Sequence, residues 1–323
     1  RYNWWNRFIP VAGMDAERRT IQLTQALSQG IRPLDRYYVR GLFEELDAPG
    51  EWFLDRRTWV LYFWPLAPIA GATVHAPRVE NIVEMGANTA YITVQGFTIE
   101  CCEGSGILMR NAKHCLAAGN VIRNLGGRCE ATAGVQIEGG AGCGAVGNDI
   151  YDVANYGIRL NGGDATTLAP AGHFAENNYI HHTGLLNGHG CGIGIGGVGN
   201  RVAHNLIHDT ARCGIFGGGN DNVIEFNRIR HVNTDTEDTG AIYVCAGQEG
   251  WMRRGLAIRN NLITDVLGFG RREGRWVSPY YSWGIYLDDA ICEATVTGNI
   301  VARAYYGGAY IHGGRDHVIE NNI

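Results

Sequence analysis

Beyond about residue 80 the chain is written in apolar runs of three or four residues, each closed by Gly, Asn or Asp, with no helical period between them. Asn followed by aliphatic residues recurs at Asn120, Asn148, Asn178, Asn205, Asn227, Asn261, Asn299 and Asn322. The spacings are 28, 30, 27, 22, 34, 38 and 23, a loose period of about 29. Between these stations a Gly opens a second short run, as in Gly134-Val-Gln-Ile137, Gly192-Ile-Gly-Ile195 and Gly284-Ile-Tyr-Leu287. A third run follows a turn such as Gly218-Gly-Asn-Asp-Asn-Val223 or Gly313-Gly-Arg-Asp-His-Val318. Three short strands per repeat with a turn residue at each corner predict the coil of an all-β, parallel β-helix solenoid. Coils stack about 4.8 Å apart, so Asn amides at one corner meet their counterparts above and below in a ladder. Asn also tolerates the left-handed backbone of a sharp corner. A β-sandwich would need longer, alternating strands.

The front of the chain reads differently. Of 47 glycines only Gly13, Gly30, Gly41 and Gly50 fall in the first seventy residues, whereas five of eight tryptophans and six of eight prolines lie before residue 78. Thr20–Thr24, Tyr37–Val39, Glu51–Leu54 and Thr58–Phe63 read as short strands, with Asp47-Ala-Pro-Gly50 as a turn. The division is therefore 1–75, a small β-rich module, and 76–323, the β-helix.

Composition narrows the function. Hydrophobic residues make up 45% and charged residues 18%, too apolar for a disordered chain. No apolar run approaches a membrane span, and a net charge of −5 without a basic stripe argues against nucleic acid as a partner. The nine cysteines show no C-x-x-C pair and read as small buried thiols rather than a disulfide framework. Gly142-Gly144-Gly147 and Gly192-Gly194-Gly197 match a nucleotide fingerprint only as glycine-rich sequence does by chance, since neither opens a helix. No metal or other cofactor is expected, and Asp221 and Asp316 read as corner residues.

Coils of 22 and 23 residues are nearly bare, so those of 34 and 38 carry loops, where solenoids build binding sites. In those coils Glu237 and Asp238 precede Gly240-Ala-Ile-Tyr243, and Asp288 and Asp289 close Gly284-Ile-Tyr-Leu287. Carboxylates at the ends of buried strands cost energy unless paired or useful, which makes them the candidate chemistry. Tyr243, Tyr280, Tyr281, Trp283 and Tyr286 surround them, and aromatic faces beside acids suit a sugar-binding groove. His189 and His312 are further candidate substrate contacts, whereas His204 and His208 read as stacked corners.

Glu45-Leu-Asp-Ala-Pro-Gly-Glu-Trp-Phe-Leu-Asp55, Leu61-Tyr-Phe-Trp-Pro65, Gly199–Asp209, Asp238-Thr-Gly-Ala-Ile-Tyr243 and Ile285-Tyr-Leu-Asp-Asp289 resemble the right-handed parallel β-helix proteins related to glycoside hydrolase family 141. The resemblance runs over essentially the whole chain. It implies retaining hydrolysis of fucosides or xylans by two aspartates one coil apart, Asp238 and Asp288, with Asp289 as the alternate; the residues themselves, not the resemblance, put Glu237, Tyr243, Trp283, Tyr286, His189 and His312 around the substrate. It also implies a secreted or periplasmic setting and an oligo- or polysaccharide as partner. Counted from the strand glycines, the two aspartates are offset by six residues, which corner bends must close unless Glu237 or Glu249 is the true partner. Relatives of this type are longer, so a chain starting at Arg1 without a leader and stopping mid-coil at Ile323 reads as truncated at both ends. A polysaccharide lyase or epimerase, and a non-catalytic glycan-binding solenoid, are the competing readings; with Lys113 the sole lysine, a lyase would take Arg, Tyr or His as its base.

Overall fold

The computed structural model describes residues 6–27, 30–31, 33–127, 132–246 and 253–323; Glu249 and Cys129 lie outside them. Two compact units are present, one of Phe8–Ala76 and one that comprises Asn6, Arg7 and Pro77–Ile323 among the described residues. In the second unit three parallel sheets, of eight, nine and nine strands among the described residues, run the length of a right-handed parallel β-helix. The first extends from Thr98–Cys102 to Ile300–Ala304, the second from Val83–Met85 to Ala309–Ile311, and the third from Thr93–Gln95 to Val318–Glu320. Each coil contributes one strand to each sheet, and partners are in register. The core is the column of inward aliphatics this produces: Ile122, Ile150, Ile180, Ile207 and Ile229 from the first sheet, Val135, Ile158, Ile193, Ile215 and Ile242 from the second. Alternate residues point out, as the pleat requires.

The predicted asparagine column is continuous. Each side-chain Nδ2 donates to the Oδ1 of the next Asn, from Asn120 through to Asn322, at 2.9–3.1 Å. The same Oδ1 also accepts the backbone N–H of the preceding Asn. A second corner is held similarly: Cys143 N–H bonds His173 Nδ1, His173 N–H bonds Asn200 Oδ1, and Asn200 N–H bonds Asn222 Oδ1. His173 is therefore a structural residue. His204 stacks on Phe226 with ring centroids 5.0 Å apart, and His208 stacks on His181 at 5.2 Å.

The glycines that open the second sheet have a steric cause. A Cβ on Gly192 would lie 2.6 Å from the Gly214 carbonyl oxygen and 2.5 Å from Ile207 Cγ2, closer than real side chains come. Gly192→Ala is expected to cost about 1–3 kcal/mol through overpacking. Urea denaturation with an unchanged slope should register it, and wild-type stability would show that the coils give way there.

The module Phe8–Ala76 holds two antiparallel hairpins, Val11–Asp15 with Thr20–Leu23 and Trp52–Asp55 with Val60–Phe63. Tyr37–Val39, expected as a strand, is not one; aromatic character is a preference for a pleated surface and does not make a strand by itself. Val11–Asp15 was masked by Ala12 and Gly13, weak strand formers. The one helical element among the described residues is the 3-10 turn Phe43–Glu45.

Candidate active site

The two loop-bearing coils give the second sheet its longest strands, Thr239–Cys245 and Ser282–Asp288. They pair from Thr239 with Ser282 to Cys245 with Asp288. Asp238 stands just before the first strand and Asp288 ends the second, so Asp288 faces Cys245, seven positions beyond Asp238. The two aspartates are therefore not register partners, and the offset counted from the strand glycines is present in the sheet.

A pair of tyrosines links them. Tyr243 and Tyr286 are register partners with ring centroids 4.9 Å apart. The Tyr243 hydroxyl donates to Asp288 Oδ2 at 2.6 Å, while the Tyr286 hydroxyl reaches toward Asp238 Oδ1 at 3.4 Å. Asp238 itself sits in a left-handed turn, φ +54°, its N–H bonded to the Tyr281 carbonyl. From beneath, the buried Arg212 donates Nη2 to the Asp238 carbonyl at 3.2 Å and lies 5.2 Å from the centre of the Tyr243 ring.

The carboxyls differ in surroundings. Burial, and then the negative charge of Asp288, hold Asp238 above the usual carboxylate range; Arg212, the Tyr286 hydroxyl and His312 oppose this without cancelling it. Asp288 is held by three donors: Tyr243, the N–H of Asp289 at 2.8 Å, and His312 Nδ1 at 2.6 Å. His312 is raised in turn, first by that hydrogen bond to Asp288. Asp289 turns its carboxylate to the Cys245 thiol at 3.0 Å. Cys245, Asp288 and Asp289 present the only group of three metal-type donors among the described residues, all their ligand atoms within 4.8 Å of one another. All three members already hold hydrogen bonds within the site, Asp288 from Tyr243 and Asp289 from Cys245.

The remaining predicted residues are placed as follows. Glu237 packs its carboxylate against Gly270, where an added methyl group would overlap it, and near Tyr280 rather than between the aspartates. Trp283, Tyr243 and Tyr286 are 6%, 9% and 2% exposed, and form an aromatic layer over the outer face of the sheet. The two tyrosines hold the acids, Trp283 packs on rings, and none of the three offers an open face. His189 sits edge-on to Phe216 at 5.0 Å, and burial, followed by the charge of Arg212, lowers it to about 4. His312 is exposed. Sequence reasoning missed Arg212 and Tyr310. The signal for Arg212 was a charged residue two positions before the buried run Gly214-Ile215, inside a bare coil.

Residues 133–323 match the family described as the right handed beta helix region. The chain belongs to that family. This right-handed β-helix protein is similar in fold to a solved structure titled "Glycoside hydrolase", with a TM-score of 0.56 and 15% identity over 87% of this chain. The match spans 57% of that structure's own length. The A-module of the Azotobacter vinelandii mannuronan C-5 epimerase AlgE4 matches with a TM-score of 0.46 and 12% identity, covering 72% of this chain and 64% of the module. An alginate lyase from Paenibacillus sp. str. FPU-7 matches with a TM-score of 0.37 and 13% identity, covering 77% and 94%. No curated protein matches the chain.

Proposed function

We propose that this β-helix protein is a carbohydrate-active enzyme, a glycoside hydrolase in which Asp238 is the general acid and Asp288 the nucleophile or base. The observation that supports this reading is the joining of two unlike carboxyls through one tyrosine pair, with Asp238 favouring its proton and Asp288 surrounded by donors. Asp238 gives its proton to the glycosidic oxygen as the bond to the anomeric carbon breaks. Asp288 attacks that carbon, or takes a proton from the water that does. Either way one water supplies the hydroxyl of one product and the hydrogen of the other. The resemblance to glycoside hydrolase family 141 adds fucoside- or xylan-type linkages, retention and a secreted setting to the reading.

A screen of aryl glycosides and plant polysaccharides tests it, with the anomer first released followed by NMR. Release of reducing sugar supports the hydrolase. A product absorbing in the ultraviolet would instead establish elimination at a uronate, the second reading, which the convergence of Tyr243 and His312 on Asp288 favours. Binding without turnover would leave a glycan-binding solenoid.

The pH dependence follows from Asp238. Because the acid must carry its proton, kcat/KM falls as pH rises through its raised pKa. Tyr286→Phe removes a group that lowers that pKa, so the basic limb moves to higher pH. A limb that stays in place would show that Asp238 does not set it.

A further inference from the structure

The buried tyrosines and Trp283 leave open which surface grips the substrate. The exposed rings lie one step further out. Tyr306, 48% exposed, meets Tyr281 at 5.4 Å and Trp283 at 5.6 Å between ring centroids. Trp283 stacks on Tyr310 at 4.3 Å and 13°, and Tyr310 on His312 at 5.8 Å and 23°. An unbroken path of rings therefore runs from Tyr306 to His312.

Its two ends differ chemically. At one, Tyr281 is tied to Asp238 through the backbone, its carbonyl accepting the Asp238 N–H at 2.9 Å, and its ring packs edge-on to Trp283 at 4.9 Å. This end is aromatic. At the other, His312 and Asp289 adjoin Asp288, and the groups there are hydrogen-bonding ones. A general acid must stand beside the oxygen it protonates, so the departing group lies at the Asp238 end. A pyranose offers an apolar face of C–H bonds that suits a flat phenol ring, while the sugar being cleaved has hydroxyls that need polar partners.

We propose that Tyr306, backed by Tyr281, is a stacking platform for the sugar that leaves, so that substrate lies with its leaving sugar toward Tyr306 and its cleaved sugar toward His312. The proposal rests on the hydrolase reading and on Asp238 as its acid. It requires a substrate of at least two sugars.

The experiment compares kcat/KM on an oligosaccharide, whose leaving group is a sugar, with kcat/KM on the matching glycosyl fluoride, whose leaving group is fluoride ion. Tyr306→Ala should reduce the oligosaccharide-to-fluoride ratio by about tenfold, through loss of binding used in the transition state. Tyr306→Phe keeps the ring and should restore the ratio. An equal fall on both substrates would place the platform under the cleaved sugar, and an unchanged ratio with wild-type rates would remove it; both overturn the proposal. No turnover of either substrate by the wild-type protein would instead reject the hydrolase reading on which it stands. The side chain is half exposed, and thermal melting of both variants separates a kinetic effect from a folding one.

Discussion

Replacing Asp288 by Asn should reduce turnover of an activated aryl glycoside by about 10^4-fold or more, as losses of a central reacting group do. Asn keeps the shape and loses the charge, so the Tyr243 and His312 contacts lose their anionic partner. If Asp288 is the nucleophile, azide should restore activity by attacking the anomeric carbon from the vacated face. Asp238→Asn should cost about 10^2- to 10^4-fold, with the smallest loss on substrates whose leaving groups need no proton. It should also stabilise the fold near neutral pH. The Asp238 carboxyl is raised on folding, so its contribution is fully present below the unfolded pKa, about 3.9, and is lost as pH rises through the folded one. Asn does not ionise, so the melting-temperature gap between variant and wild type should open between acid and neutral pH. Full activity in both folded variants would reject the assignment. Activity lost only in Asp289→Asn would transfer the role of Asp288 to its neighbour.

The second large effect concerns the frame. Asn205 donates to the Ala175 and Ala203 carbonyls and to Asn227 Oδ1, and accepts from both the N–H and the Nδ2 of Asn178. All of this is buried. Asn205→Ala leaves donors and acceptors unmet in two neighbouring coils, and about 2–5 kcal/mol of stability should go with them. Asn205→Asp should not rescue it, because a carboxylate accepts but cannot donate. Equilibrium denaturation of the three proteins measures this; a loss below about 1 kcal/mol for Ala would mean that water enters and repairs the gap.

The solenoid was legible because its signal repeats. Eight asparagines at one corner and a glycine before each inner strand are each weak alone, but stacking demands that they recur. The site was legible only by residue type. Asp238, Asp288 and the aromatics could be named, yet the spacing that mattered was the register between Thr239–Cys245 and Ser282–Asp288, which loop lengths conceal. Sequence distance also gave no measure of burial. Trp283 and Tyr286 looked like open platforms and are the layer beneath, whereas Tyr306, in an unremarked Tyr-Tyr-Gly-Gly turn, carries the exposed face. The first sheet has a further regularity: the fourth residue of its five-residue strands is left-handed at Cys101, Asn124, Asp152, His182, Asp209, His231, Asp265 and Arg303. It lifts those side chains off the sheet, where acids and bases alternate and pair, as Asp209 does with His231 and Asp265 with Arg303.

The asparagine column also has a direction. Between neighbours in the column, each amide from Asn120 to Asn299 donates to the next Asn toward the C-terminal end, while Nδ2 also donates to a backbone carbonyl on the N-terminal side, so the Asn-to-Asn bonds all run one way. Each bond polarises the next, which makes the middle of the chain stronger than its ends. The same Asn→Ala change should therefore be felt more at Asn205 or Asn227, each bonded to an Asn on both sides, than at Asn322, which ends the column.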